Sequence, residues 1–103
     1  MPAPSSGQHE LRHVVSDAPR VLVVDGSRMV RKLISDVLQR ELPQARIVAC
    51  DGLASARDAL AGEPVDLVTT SLVLPDGDGM ALARAVRESA GQSYVPVIVV
   101  SGT

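Results

Sequence analysis

The run Val65-Asp66-Leu67-Val68-Thr69-Thr70-Ser71-Leu72-Val73-Leu74, broken by Pro75-Asp76-Gly77-Asp78-Gly79, constrains this chain more than any other stretch. It begins as a β-rich apolar segment, turns polar at Ser71, and stops at a proline followed by alternating Asp and Gly. That pattern reads as a buried central strand delivering one side chain to a sheet edge, then a turn that opens a helix. In open α/β sheets the chemistry lies outside the carboxyl ends of the strands, so Ser71 is expected at the functional edge.

Two further Val-rich runs flank it. Arg20-Val21-Leu22-Val23-Val24-Asp25-Gly26 reads as the first strand, ending in a carboxylate, and Tyr94 to Val100 as the fourth, ending at Ser101-Gly102-Thr103. Ser27 is placed to cap a helix from Arg28 to Leu42, in which Val30, Leu33, Ile34, Val37 and Leu38 recur at helical spacing. On its outer face Lys32 can pair with Asp36, and Asp36 with Arg40. Arg46 to Cys50 is a second short strand, and Leu53 to Ala61 a short helix closed by Gly62. Asp78 caps a helix from Met80 to about Ala90, with Leu82, Ala83 and Val86 inward. The resulting order, β-α-β-α-β-α-β, implies right-handed parallel crossovers and a doubly wound α/β sheet. Asp25, Gly26, Ser71 and Ser101 then fall at strand carboxyl ends and should share one edge.

Composition narrows the function. With 103 residues there is room for one small domain, and with no Trp or Phe its core must come from Val, Leu, Ile, Ala and Met. A net charge of −2 leaves no footprint for nucleic acid or an anionic membrane. No apolar run approaches the roughly 18 residues that span a bilayer, and no signal peptide is evident, so the expected location is cytoplasmic. Cys50, the single cysteine, ends an apolar run and is expected to be an inert core thiol.

Residues 1–19 are expected to be a disordered or partly helical N-terminal tail, and 20–103 the folded domain. Within the tail, His9-Glu10-Leu11-Arg12-His13 spells H-E-x-x-H, the arrangement of a zinc-dependent hydrolase. A catalytic zinc needs a third ligand and a helix fixed in a core, whereas these are the chain's two histidines. The match is read as chance, and no metal site is expected.

Taken together, Val-Leu-Val-Val-Asp-Gly-Ser-Arg, Cys-Asp-Gly-Leu-Ala-Ser-Ala, Asp-Leu-Val through Leu-Pro-Asp-Gly-Asp-Gly, and Val-Pro-Val-Ile-Val-Val-Ser-Gly resemble the receiver domain of two-component response regulators. The resemblance runs from about Arg20 to the last residue. It implies a flavodoxin-like sheet, here truncated after the fourth strand and incomplete at its C-terminal end, and a role in accepting a phosphoryl group from a sensor kinase. The family's chemistry uses an acidic pair after the first strand, an aspartate acceptor after the third, a hydroxyl after the fourth and a lysine after a fifth. Against that pattern Asp25 and Ser101 are kept, Gly26 replaces the second acid, Ser71 replaces the acceptor, and the lysine position is absent.

Each departure removes a physical requirement. A carboxylate is ionised at neutral pH, whereas a serine hydroxyl needs a base. Mg²⁺ is usually held by one or two carboxylates together with phosphate oxygens, so its binding should be lost or weak. The expected molecule is a degenerate, non-enzymatic receiver that acts independently of phosphorylation, as a protein-interaction or dimerisation module with an attached output domain or another protein as partner. Phosphorylation at an unorthodox residue is the alternative; Asp76 and Asp78 are read instead as turn and cap residues. The fourth strand and the first helix should expose apolar surface, so a homo-oligomer is expected.

Overall fold

The computed structural model describes residues 18–89, 91 and 94–100. In chain order the elements are β1 (Arg20–Val24), α1 (Arg28–Glu41), β2 (Arg46–Cys50), α2 (Leu53–Gly62), β3 (Leu67–Ser71), the two-residue strands β4 (Val73–Leu74) and β5 (Gly77–Asp78), α3 (Gly79–Glu88), and β6 (Val97–Val100). Four of the strands form one sheet in the order β2-β1-β3-β6, with every pairing parallel. This is the doubly wound arrangement expected from the alternation of elements. Strands β4 and β5 form a separate antiparallel hairpin just beyond β3.

The central strand β1 is buried along its whole length, which explains its unbroken apolar run. Alternation sends Leu22 and Val24 to one face, where they pack with Val68, Cys50, Ala56, Leu60, Leu82 and Val86 under α2 and α3. Val21 and Val23 alternate with them and are fully buried as well. Cys50 lies in the core cluster, and desolvation raises its thiol pKa above the ordinary value, in keeping with the inert role expected of it.

Local chemistry sets the helix starts. The Ser27 hydroxyl accepts from the Val30 amide at 3.2 Å, and the Asp78 carboxylate from the Ala81 amide at 2.7 Å, so both expected caps are made. Lys32 pairs with Asp36 at 3.1 Å, but no Asp36–Arg40 pair forms among the described residues. Helix α3 begins one residue earlier than expected and ends at Glu88, and β6 is shorter than the run from Tyr94. Pro96 has no amide to give a ladder, and its carbonyl instead accepts from Val68.

The apolar stripe of α1 divides between two environments. Val30, Ile34 and Leu38 are half-buried, whereas Leu33 and Val37 stand exposed, as do Ile98, Val99 and Val100 of β6. Uncovered apolar surface on these two elements was the expectation. Toward the start of the chain, the Pro19 carbonyl accepts from the Arg46 amide at 2.8 Å, so the sheet's hydrogen bonding reaches that residue.

Candidate functional site

Asp25 and Ser71 are neighbours at the carboxyl edge. Val24 pairs with Thr70, and Asp25 and Ser71 are the next residues along β1 and β3. Ser71 in turn pairs with Val100, which places β6's last described residue beside it. Ser101 lies outside the described residues, as do His9, Glu10 and His13.

The Asp25 carboxylate is engaged locally. Its Oδ1 accepts from the Ser27 amide at 2.8 Å, and its backbone carbonyl accepts from Arg31 Nη1 at 2.7 Å. The Ser71 hydroxyl makes no hydrogen bond among the described residues; the nearby Thr70 hydroxyl donates to the Ser71 carbonyl at 2.9 Å. Gly79 packs directly on this backbone, where a Cβ would come within 2.6 Å of the Ser71 carbonyl oxygen. Its amide donates to the Leu72 carbonyl at 2.8 Å, fixing the start of α3 against the end of β3.

The remaining carboxylates at this edge are also committed. Asp51 Oδ1 accepts from the Ser55 hydroxyl at 2.9 Å, and Asp78 caps α3. Asp76 does more than shape its turn. Its two oxygens accept from the amides of Leu53, at 2.6 Å, and Ala54, at 2.9 Å, so it caps α2, whose own N-cap position is Gly52. These backbone bonds, from Ala54 first and Leu53 next, hold the Asp76 carboxyl below the usual carboxylate range. Sequence reasoning missed this contact because the cap and its helix lie 23 residues apart.

Gly26 faces Pro75. A Cβ at position 26 would lie 3.0 Å from both Cδ and Cγ of the proline ring. Of the family's acidic pair one carboxylate remains, Asp25, with one of its oxygens taken by an amide, and position 26 supplies none. Among the described residues no group of three or more His, Cys, Asp or Glu is arranged to hold a metal ion.

This edge, at the carboxyl ends of a parallel sheet, is that of a signalling receiver. Residues 21–103 match the response regulator receiver domain, and the chain belongs to that family. It is 35% identical over 102 residues to the sensor histidine kinase TmoS of Ectopseudomonas mendocina, covering 98% of this chain and 10% of that protein. It is also 35% identical over 85 residues to the two-component response regulator ORR5 of Oryza sativa subsp. japonica, covering 82% of this chain and 62% of that one. The chain thus spans less than two thirds of either relative. Among solved structures, a response regulator receiver protein from Pseudomonas putida superposes with a TM-score of 0.72 at 30% identity, over 86% of this chain and 72% of that one. No helix of the described residues is long and apolar enough to cross a membrane.

Proposed function

We propose that residues 20–103 form a receiver that is not switched by phosphorylation and that works, without catalysing a reaction, by binding other proteins in two-component signalling. In this reading residues 1–19 are its N-terminal tail, the protein is cytoplasmic, neither metal nor cofactor takes part, and the partner is an attached output domain, another signalling protein or a second copy of the chain. The observation that carries the reading is the pair of Ser71 at the end of β3 and Gly26 just after β1, where the family's chemistry uses an acceptor aspartate and a second acid.

The chemistry follows from that pair. Attack on phosphorus needs an ionised nucleophile, or a base to make one, and the negative charge on the transferring group needs a cation. Ser71 is neutral at physiological pH, and the neighbouring Asp25 already accepts a hydrogen bond from the Ser27 amide. Asp76 and Asp78 are held as caps on α2 and α3, which leaves them poorly placed as substitute acceptors.

Intact mass after incubation with acetyl phosphate and Mg²⁺ tests this. The mass is expected to stay unchanged. A gain of one phosphoryl group would overturn the reading, and lability to hydroxylamine would identify an acyl phosphate on an aspartate.

A further inference from the structure

Four aspartates in this chain are followed directly by glycine: Asp25-Gly26, Asp51-Gly52, Asp76-Gly77 and Asp78-Gly79. All four lie at the carboxyl edge of the sheet, after β1, after β2, and in the hairpin and helix start that follow β3. An aspartyl–glycyl bond is chemically labile, because the glycine nitrogen can attack the carboxyl carbon of the aspartate before it. Glycine, with no Cβ, leaves that nitrogen unhindered and the backbone free to turn for the attack. Folding then decides which of the four reacts, since both groups must be released from their other bonds.

Three of the four are held. Gly52 is buried, its amide donates to the Ser55 hydroxyl at 3.2 Å, and the Asp51 carboxylate accepts from that same hydroxyl at 2.9 Å. Gly79 is buried, its amide donates to the Leu72 carbonyl at 2.8 Å, and the Asp78 carboxylate accepts from the Ala81 amide. Gly77 pairs with Leu74, and both Asp76 oxygens accept from amides of α2. Those bonds favour the ionised Asp76 carboxyl, the poorer electrophile.

Asp25-Gly26 differs from all three. Gly26 is exposed, and its amide has no hydrogen-bond partner among the described residues. The Asp25 Oδ1 accepts from the Ser27 amide at 2.8 Å, two residues on. That bond closes a ring around the Gly26 peptide, so it folds the carboxyl group over the nitrogen that would attack it.

We infer that Asp25-Gly26 is a site of spontaneous isoaspartate formation in the folded protein. The Gly26 nitrogen bonds to Asp25 Cγ, and the amide proton and the carboxyl hydroxyl leave together as water, closing a succinimide ring. Water then opens the ring at either carbonyl. Opening at Cγ restores aspartate, whereas opening at the α-carbonyl gives isoaspartate, with the main chain running through Cβ and Cγ and the α-carboxylate free. No oxidant, reductant or further reactant is consumed, and the mass is unchanged. The Asp25 carbonyl oxygen that Arg31 Nη1 already reaches at 2.7 Å becomes part of that carboxylate, so the bond becomes one between opposite charges. The product lengthens the connection from β1 to α1 by one methylene. The inference stands apart from the proposed function: it follows from glycine at position 26, whether or not the chain accepts a phosphoryl group.

Peptide mapping tests it on the full chain. The protein is kept for several weeks in mildly acidic buffer in which it stays folded, then digested with trypsin, and isoaspartate is located by electron-transfer fragmentation. Cleavage after arginine puts Asp25 in the peptide 21–28, Asp51 in 47–57, and Asp76 and Asp78 in 58–84. Isoaspartate is expected to build up at position 25 about fivefold faster, or more, than at 51, 76 or 78, the factor that one extra net hydrogen bond is worth. In urea those bonds are gone, and the lead of position 25 should vanish. A folded chain in which position 25 gains no lead overturns the inference. So does a lead that persists unchanged in urea, which would trace it to the neighbouring residues and not to the fold.

Discussion

The Arg20 guanidinium lies 3.6 Å from the Glu63 carboxylate, at the end of the sheet opposite Ser71. The arginine side chain is 10% exposed and the glutamate 55%, so the two partners stand in different dielectric surroundings. Arg20 Nη1 also donates to the carbonyls of Ala59, in the last turn of α2, and of Glu63, its C-cap residue, where helical carbonyls run out of intrahelical partners. Arg46 shares the same carboxylate at 3.1 Å.

Those carbonyl bonds, rather than the ion pair, should carry the stability. Arg20→Met is expected to cost about 2–3 kcal/mol, since it strands two acceptors near the core. Glu63→Gln should cost less than about 1 kcal/mol, because its charge is half in water. Urea unfolding of both variants checks this, and equal losses would assign the effect to the charges instead.

Asp76 should leave a signature in acid. Its carboxyl pKa is lowered in the folded chain, so its contribution is present in full above the unfolded-chain pKa of about 3.9 and is lost as pH falls through the folded value. The difference in unfolding free energy between the natural chain and Asp76→Ala should thus be constant near neutrality and shrink at lower pH. A difference that grew on acidification would mean the carboxylate is not the capping form.

At Ser71, removing the hydroxyl should matter little. It has no hydrogen bond to lose among the described residues, so Ser71→Ala should cost no more than about 1 kcal/mol. Ser71→Asp alone should remain unphosphorylated by acetyl phosphate, since position 26 still supplies no carboxylate. Efficient labelling of that single variant would show that Gly26 is not limiting.

Among the described residues, strand β6 is an edge of the sheet. It pairs with β3 on one side, and Ile98, Val99 and Val100 are exposed without a charged residue among them. An uncharged strand edge can pair with a copy of itself without like-charge conflict, so the chain should run as a dimer or larger species in light scattering at tens of micromolar. Val99→Lys should shift it toward monomer. A cooperatively folding monomer of the natural chain would refute this.

Much of this was legible in the residues because the determining interactions are local. A short, Val-rich continuous apolar run reads as a strand buried on both faces, as β1 is, and Ser27 and Asp78 cap helices that begin beside them. The α1 stripe was legible as a periodicity, yet periodicity does not say how much of a helix face another element covers. Leu33 and Val37 share their spacing with half-buried Val30 and Ile34 and are nonetheless exposed. At the edge, the loss of the acceptor carboxylate could be read from Ser71, whereas the Pro75 ring against Gly26 could not. A glycine in a turn announces freedom of the backbone, and only the fold reveals that a neighbour stands 3.0 Å from where a Cβ would be. Arg20 was likewise read as the first residue of a strand, with no sign that its head group serves a helix whose last turn lies about forty residues on.

The sheet order also sets the order of assembly. Strand β1 is synthesised first among the four, but it is flanked by β2 and β3, and the β1–β3 pairs, such as Val21 with Leu67, join residues separated by most of the domain's length. Closing so long a loop is slow, because its entropy is lost before the contacts repay it. A nascent chain that has released only β1, α1, β2 and α2 holds its most apolar strand with one flank bare. Its commitment to fold therefore awaits the same segment that ends in Ser71. In pulse-labelling hydrogen exchange, the amides of β1 that bond to β3 should gain protection in the same kinetic phase as those of β3, and later than the amides of α1.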